Sequence, residues 1–235
     1  MVNFKSAAVR FLKYVGLFNV VRKVMIDLGL HIPVPHGHSL LIKSIDNKVT
    51  EHGSLAGFIC VEIGSTRELL PGQGSTAEIA GKCRDNNIHF ITVDMDPENT
   101  SAASATLLEV SDSFEAINAQ GEVFLKNYHG RVDFLYLDAF DIDHGMHSEA
   151  RKQRYMEHLG SDINNEDCYK MHLDCAIEAV RLLKLGGVIV FDDAWRQNDG
   201  WGGKGYSAMP YLLDHGFEII EETGNTIWLE RISIR

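Results

Sequence analysis

From Gly57 onward, seven short apolar runs of strand length alternate with, or follow, amphipathic stretches of helix length. No feature of the chain constrains its fold more. The runs are Phe58–Ile63, His89–Val93, Phe114–Asn118, Val132–Leu137, Val188–Phe191, Phe217–Glu221 and Thr226–Arg231. The helical stretches between them are Ser75–Asn86, Pro97–Leu108, Glu122–Tyr128 and Asp167–Leu183. Runs of Val, Ile, Leu and Phe without a polar alternation suit strands covered on both faces. Strands separated by helices imply a doubly wound, mostly parallel sheet. The last two runs flank Glu222-Thr223-Gly224-Asn225, a turn sequence that makes them an antiparallel closing pair.

In such a sheet, ligands bind at the carboxyl ends of the strands. Two acidic clusters fall at those ends: Asp138 and Asp141 after Val132–Leu137, and Asp192-Asp193 after Val188–Phe191. Asp138, Asp192 and Asp193 are therefore expected to converge, and three carboxylates in one place call for a hard divalent cation such as Mg²⁺. The alternative is that each caps the turn or helix behind it. Matched positions on separate strands favour the metal. Long segments follow both clusters: polar Asp143–Glu166, and Ala194–Ser207 with its Trp, Tyr and Gly residues. Loops of that length at the ligand edge are typically lids or binding loops.

The chain has 235 residues, a net charge of -11 and a pI near 5.4. That charge disfavours a broad phosphate-binding surface, so nucleic acid is not an expected partner. Cys60, Cys83, Cys168 and Cys175 form no CxxC pair or zinc-type spacing, as expected of a reduced, cytoplasmic protein. No transmembrane segment is expected. Residues 1–56 read as an N-terminal helical segment and linker, apolar positions from Phe4 to Leu30 recurring at helical spacing with Lys and Arg between them. It suits a lid or a dimer contact, and the closing strand pair also allows a homodimer. His31-Ile32-Pro33-Val34-Pro35-His36-Gly37-His38 reads as a linker or substrate-facing loop, its prolines disfavouring helix. Residues 57–235 form the main domain.

Gly64 ends the first strand, where the backbone can turn sharply and a ligand can come close. Asp94, followed by Met95, ends the second and can accept hydrogen bonds from both hydroxyls of a ribose. Together they describe a nucleoside-binding crevice. A dinucleotide site would need GxGxxG after strand one, and Gly64-Ser65-Thr66-Arg67-Glu68 lacks it. A phosphate loop would need a Lys before its hydroxyl, and Pro71-Gly72-Gln73-Gly74-Ser75-Thr76 has none. S-adenosylmethionine carries no phosphate and needs neither.

On these motifs residues 57–231 resemble class I S-adenosylmethionine-dependent methyltransferases, with their Rossmann-like fold. Within that class the chain is similar to the metal-dependent O-methyltransferases, of the catechol and the antibiotic-sugar types. Glu62-Ile63-Gly64-Ser65 matches the cofactor-binding motif, Asp94 the ribose-binding acid, and Asn118–Glu122, with Gln120 and Gly121, the adenine-contacting turn. Leu137-Asp138 and Asp192-Asp193 match the metal-binding positions. The resemblance implies methyl transfer to a hydroxyl of a small molecule, a sugar diol or catechol whose neighbouring oxygens chelate the metal. Two departures stand out. Thr66–Gly74 lengthens the glycine-rich turn, either wrapping the methionine end of the cofactor, with Ser75 and Thr76 facing its carboxylate, or forming a surface loop. Asp141 occupies the position of the catechol-type lysine base.

Candidate bases are thus His144, then Asp141 and His147, with Asp138 holding both metal and cofactor. Trp195, Trp201 and Tyr206 are candidates for the acceptor pocket, and His172 and Lys204 read as structural and surface residues respectively. The competing readings are a metal-independent N- or carboxyl methyltransferase and a non-catalytic nucleoside-binding protein.

Overall fold

The computed structural model describes residues 37–66 and 74–234. The helices expected within Phe4–Leu30, and most of the Thr66–Gly74 loop, lie outside the described residues. Seven strands form one sheet: β1 Ile59–Ile63, β2 His89–Asp94, β3 Phe114–Asn118, β4 Val132–Leu137, β5 Leu183–Phe191, and, after a small hairpin, β8 Phe217–Thr223 and β9 Thr226–Arg231. Their order is β3-β2-β1-β4-β5-β9-β8; β3 to β5 run parallel, and β9 pairs antiparallel with both β5 and β8. The doubly wound, mostly parallel sheet with an antiparallel closing strand is therefore as the periodicity predicts. The order reverses between β1 and β4, which opens a crevice at their carboxyl ends.

Register explains why the central strands carry apolar residues on both faces. Cys60 lies beside Phe90 and Phe134, and Phe134 beside Val188, all facing one side. That side packs under α1 Gly37–His52, α2 Ser75–Asp85 and α3 Pro97–Val110 through Leu41, Ile45, Ile79 and Leu107. The next residues in each strand, Val61, Ile91, Leu135 and Ile189, face the other side. They pack under α4 Gly121–Asn127, α6 Asn165–Leu182 and α7 Ala208–Asp214 through Leu125, Cys175, Ala179 and Leu212. Two remaining elements lie in the long segments: α5 Glu149–Leu159 and the hairpin β6 Ala194–Gln197, β7 Gly200–Gly203.

Gly37 and His38, read from the sequence as part of a proline-rich turn, open helix α1 instead. The prolines precede the helix and do not enter it. Leu40, Leu41, Ser44, Ile45 and Lys48 form its buried stripe, and Lys48 donates to Glu230 of β9 at 2.8 Å. Among the described residues no helix is long and apolar enough to cross a membrane.

Candidate functional site

Gly64 has φ +99°, and a Cβ there would lie 2.7 Å from the Ala139 backbone nitrogen. Only glycine lets the chain leaving β1 pass this close to the chain leaving β4. On the other side, a Cβ on Gly121 would meet Ile63 Cγ2 at 2.1 Å, so the start of α4 also presses onto the end of β1. These close approaches leave a cleft of about 490 Å³, within the range of small-ligand sites. Gly64, Ser65, Asp94, Met95, Gln120, Gly121 and Asp138, the residues expected to bind the cofactor apart from Glu62, Ser75 and Thr76, line it.

Asp94 is held in place before any ligand arrives. Its Oδ2 accepts the Ser65 N–H at 3.1 Å, and its Oδ1 accepts the Asp96 N–H at 2.8 Å and Asn99 Nδ2 at 3.3 Å. Asn118 Nδ2 donates to the carbonyls of Asp94 and Met95, at 3.0 Å each, fixing the turn that leads to Gln120. Backbone that a ligand can approach, a fixed acidic acceptor and a cleft of this size fit S-adenosylmethionine.

Glu62, Ser75 and Thr76 stand apart from the cleft. Glu62 is wholly buried and accepts hydrogen bonds from Ser75, Thr76 and Thr92 hydroxyls at 2.9, 2.8 and 2.7 Å. Burial raises its carboxyl to about 7 against the pull of those hydroxyls. The two helix-start hydroxyls expected to face the cofactor carboxylate are thus spent fastening α2 to β1. Thr76 also exchanges reciprocal bonds with Thr66, at 2.8 and 3.0 Å.

Asp138, Asp192 and Asp193 do converge at the ends of β4 and β5, but around a lysine. Lys204 Nζ lies 2.7 Å from Asp138 Oδ1 and 3.5 Å from Asp193 Oδ2, and its side chain is only 3% exposed. Lys204, read from the sequence as a surface residue, is therefore an internal cation. Burial pulls its ammonium down, but Asp138, Asp193 and Asp192 together hold it above the ordinary lysine range. Asp192 has both oxygens engaged: Oδ1 by Thr226 Oγ1 and the Asp193 N–H at 3.1 and 3.0 Å, Oδ2 by Tyr136 OH and the Gly37 N–H at 3.1 and 3.2 Å. The three aspartates do not fit a divalent ion, since an ammonium already stands among them and Asp192 is fully committed. Among the described residues, no group of three or more His, Cys, Asp or Glu could hold a metal.

The candidate bases are also redistributed. His144 is exposed in the loop before α5, does not line the cleft, and stacks on His147 at 4.0 Å. His147 is largely buried and bonds the Ile142 carbonyl at 3.0 Å. Asp141 accepts from Tyr155 OH at 3.1 Å and pairs with Arg151 at 3.3 Å. Asp138 alone of the candidates faces the cleft. Its burial, with Asp192 and Asp193 nearby, outweighs Lys204 and raises its carboxyl to about 6. His172 is fully buried, bonding the Cys168 carbonyl at 2.8 Å, and burial drives its imidazole down to about 3. Trp195, Trp201 and Tyr206 do not line the cleft; Arg196 lies over the Trp201 ring, and Tyr206 stacks on Tyr169.

Arg151, Lys152 and Arg154 read from the sequence as a solvated helix face, but their helix α5 supplies one wall of the cleft through Arg151, Arg154 and Tyr155. Arg154 reaches Asp96 at 2.9 Å and also pairs with Glu98, beyond β2, while Tyr155 and Arg151 hold Asp141, beyond β4. Ser148, which accepts the Arg151 N–H, and Gly160 in the left-handed conformation are cap signals present in the sequence. The helix buries only Tyr155, so no apolar stripe announced it.

No protein-family profile and no curated protein matches this chain. Among solved structures it is similar to NSun6 from Pyrococcus horikoshii with SFG, at 13% identity and a TM-score of 0.53. That match covers 89% of this chain and 55% of the other, little more than half of its length. A putative rRNA methylase from Clostridium thermocellum matches at 13% identity and a TM-score of 0.51, over 86% of this chain and 100% of that one. A S-adenosylmethionine-dependent methyltransferase from Clostridium acetobutylicum matches at 11% and 0.48, over 92% and 98%. At such identities the likeness is one of fold, and the chain has the Rossmann-like fold of class I S-adenosylmethionine-dependent methyltransferases.

Proposed function

We propose that this chain is an S-adenosylmethionine-dependent methyltransferase acting on a hydroxyl of a small molecule. The observation that carries the reading is the cleft at the sheet's reversal point, with Asp94 fixed on one side and Asp138 on the other. Asp94 would hold the ribose hydroxyls, Gln120 and Gly121 would border the adenine, and the turn at Gly64 would let the backbone approach the cofactor. When bound, the cofactor supplies an electrophilic methyl group on a positive sulfonium.

Asp138 would receive the acceptor. Its Oδ1 is held by Lys204, while its Oδ2 makes no hydrogen bond among the described residues. A carboxylate raised to about 6 is ionised near neutrality, yet basic enough to take a hydroxyl proton as the oxygen is alkylated. Phe140, two residues after Asp138 and with φ +56°, packs edge-on against Tyr155 at 5.0 Å and lines the cleft. Residues held in such backbone conformations cluster at functional sites. A preference for vicinal hydroxyls rested on metal chelation and lapses with it, so a single hydroxyl suffices. The acidic surface and the wall formed by α5 favour a small acceptor over a nucleic acid.

The test is calorimetric titration with S-adenosylhomocysteine, followed by a methyl-transfer screen of diols, catechols and simple alcohols with product analysis. Micromolar binding and an O-methylated product support the reading. Absence of binding overturns it, and an N-methyl or ester product replaces the hydroxyl with another acceptor.

A further inference from the structure

Lys204 reaches the acidic cluster by a specific backbone device. It directly follows β7, and its N–H donates to the Asp193 carbonyl at 2.9 Å. Gly203, with φ +64°, has no room for a side chain: a Cβ would lie 1.9 Å from that same carbonyl oxygen. A Cβ on Gly202 would meet Trp195 Nε1 at 2.4 Å. The glycines therefore let the returning strand of the hairpin lie against the end of β5, which delivers the lysine side chain inward. A four-carbon stem then puts its ammonium between Asp138 and Asp193, with the Asp192 carboxylate also close enough to act on it. Asp193 has φ +47°, an unusual conformation for a residue with a Cβ.

We infer that Lys204 is the resident cation of this cluster, doing by an intramolecular ammonium what a divalent ion would do among the same three aspartates. It offsets part of the charge of the aspartates and fixes Asp138, and it occupies the place a metal would need. A buried charge persists only when it is paired and hydrogen-bonded, and Asp138 Oδ1 and Asp193 supply that pairing to the lysine. A divalent ion entering the same space would have to displace the ammonium or sit beside it, each of which opposes binding. Lys204 does not line the cleft and is a positioning residue, acting through Asp138. Only the assignment of Asp138 to the acceptor side rests on the proposed function; the cation assignment does not.

The test is calorimetric titration of the full chain with Mn²⁺, comparing wild type, Lys204→Met and Lys204→Met/Asp138→Asn. S-adenosylhomocysteine titrations of the same samples test the methyltransferase reading separately. Wild type is expected to show no Mn²⁺ binding below millimolar concentration. Lys204→Met frees the carboxylates and should bind Mn²⁺ at least tenfold more tightly, and the added Asp138→Asn should remove that gain. Micromolar Mn²⁺ binding by wild type, lost in an Asp138→Asn single variant, overturns the inference. So does a Lys204→Met protein that folds, by circular dichroism, and gains no affinity. If Lys204→Met fails to fold, the wild-type and Asp138→Asn titrations decide alone: no micromolar binding supports the inference, and Asp138-dependent binding overturns it.

Discussion

Asp94 Oδ2 accepts the backbone N–H of Ser65 at 3.1 Å, so the acid at the end of β2 is fastened to the residue just past the glycine of β1. The contact sets two sides of the cleft at a fixed separation before any ligand is present. Preorganisation of this kind lowers the ordering cost of binding. Asp94→Ala removes both the acceptor for a ribose and the tie to Ser65. It should weaken S-adenosylhomocysteine at least tenfold, about 1.4 kcal/mol, by isothermal calorimetry. Unchanged affinity would remove Asp94 from the ribose site.

Gly64→Ala tests the crevice itself. The new Cβ would meet the Ala139 backbone, which cannot swing aside as a side chain can, and φ +99° adds strain. A cost of roughly 3 kcal/mol is expected, lowering Tm by around 10 °C. Gly145→Ala is the matched control, with φ +73° but nothing within 4 Å of its Cβ. It should cost only about 1 kcal/mol. Equal losses in differential scanning calorimetry would show that strain alone, and not the β1–β4 approach, demands glycine at position 64.

These two positions were legible because each directly follows or ends a buried strand. Strands β1, β2 and β4 are buried on both faces, so the apolar run of each, and the Gly or Asp that ends it, can be read directly. Elements held by polar contacts were not legible. Helix α5 buries one side chain and is tied down by Arg151, Arg154 and Tyr155, whose partners lie before it in the sequence at Asp96, Glu98 and Asp141. Lys204 meets Asp138 across 66 residues, and no local pattern reveals that a lysine between glycines points inward. The convergence of Asp138, Asp192 and Asp193 followed from topology; which cation they gather around is a matter of tertiary packing.

Glu62 gives the stability a characteristic pH dependence. Its carboxyl is raised from 4.5 to about 7 in the folded state, so between those values the native protein holds more proton than the unfolded chain. Stability therefore falls as pH rises through this window and is lowest, for this group, above pH 7. The full shift corresponds to roughly 3 kcal/mol as an upper bound. Asp138, raised to about 6, acts in the same direction over a narrower range. Glu62→Gln cannot ionise, and the three hydroxyls around it can reorient toward the amide. Denaturant melts of this variant at pH 5 and pH 8 should differ by less than those of wild type. A slope identical to wild type would mean that Glu62 ionises freely in the fold.

Arg154 links α5 to the far side of the cleft, pairing with Asp96 and Glu98 while Arg151 and Tyr155 anchor the near side. The helix thus spans the crevice as a strap held mainly by charge. Arg154 is 39% exposed, and solvent-screened ion pairs contribute about 1 kcal/mol or less. Arg154→Ala should consequently leave Tm within roughly 4 °C of wild type. The same loss unlatches one end of the strap, and a bound ligand should leave more easily. S-adenosylhomocysteine dissociation, followed by stopped-flow competition, is expected to accelerate severalfold with the association rate little changed. Raised salt should reproduce part of this acceleration in wild type, because ionic strength screens the exposed pairs. A variant that releases the ligand at the wild-type rate would show that α5 serves as a fixed wall of the cleft, with no part in retaining what binds there.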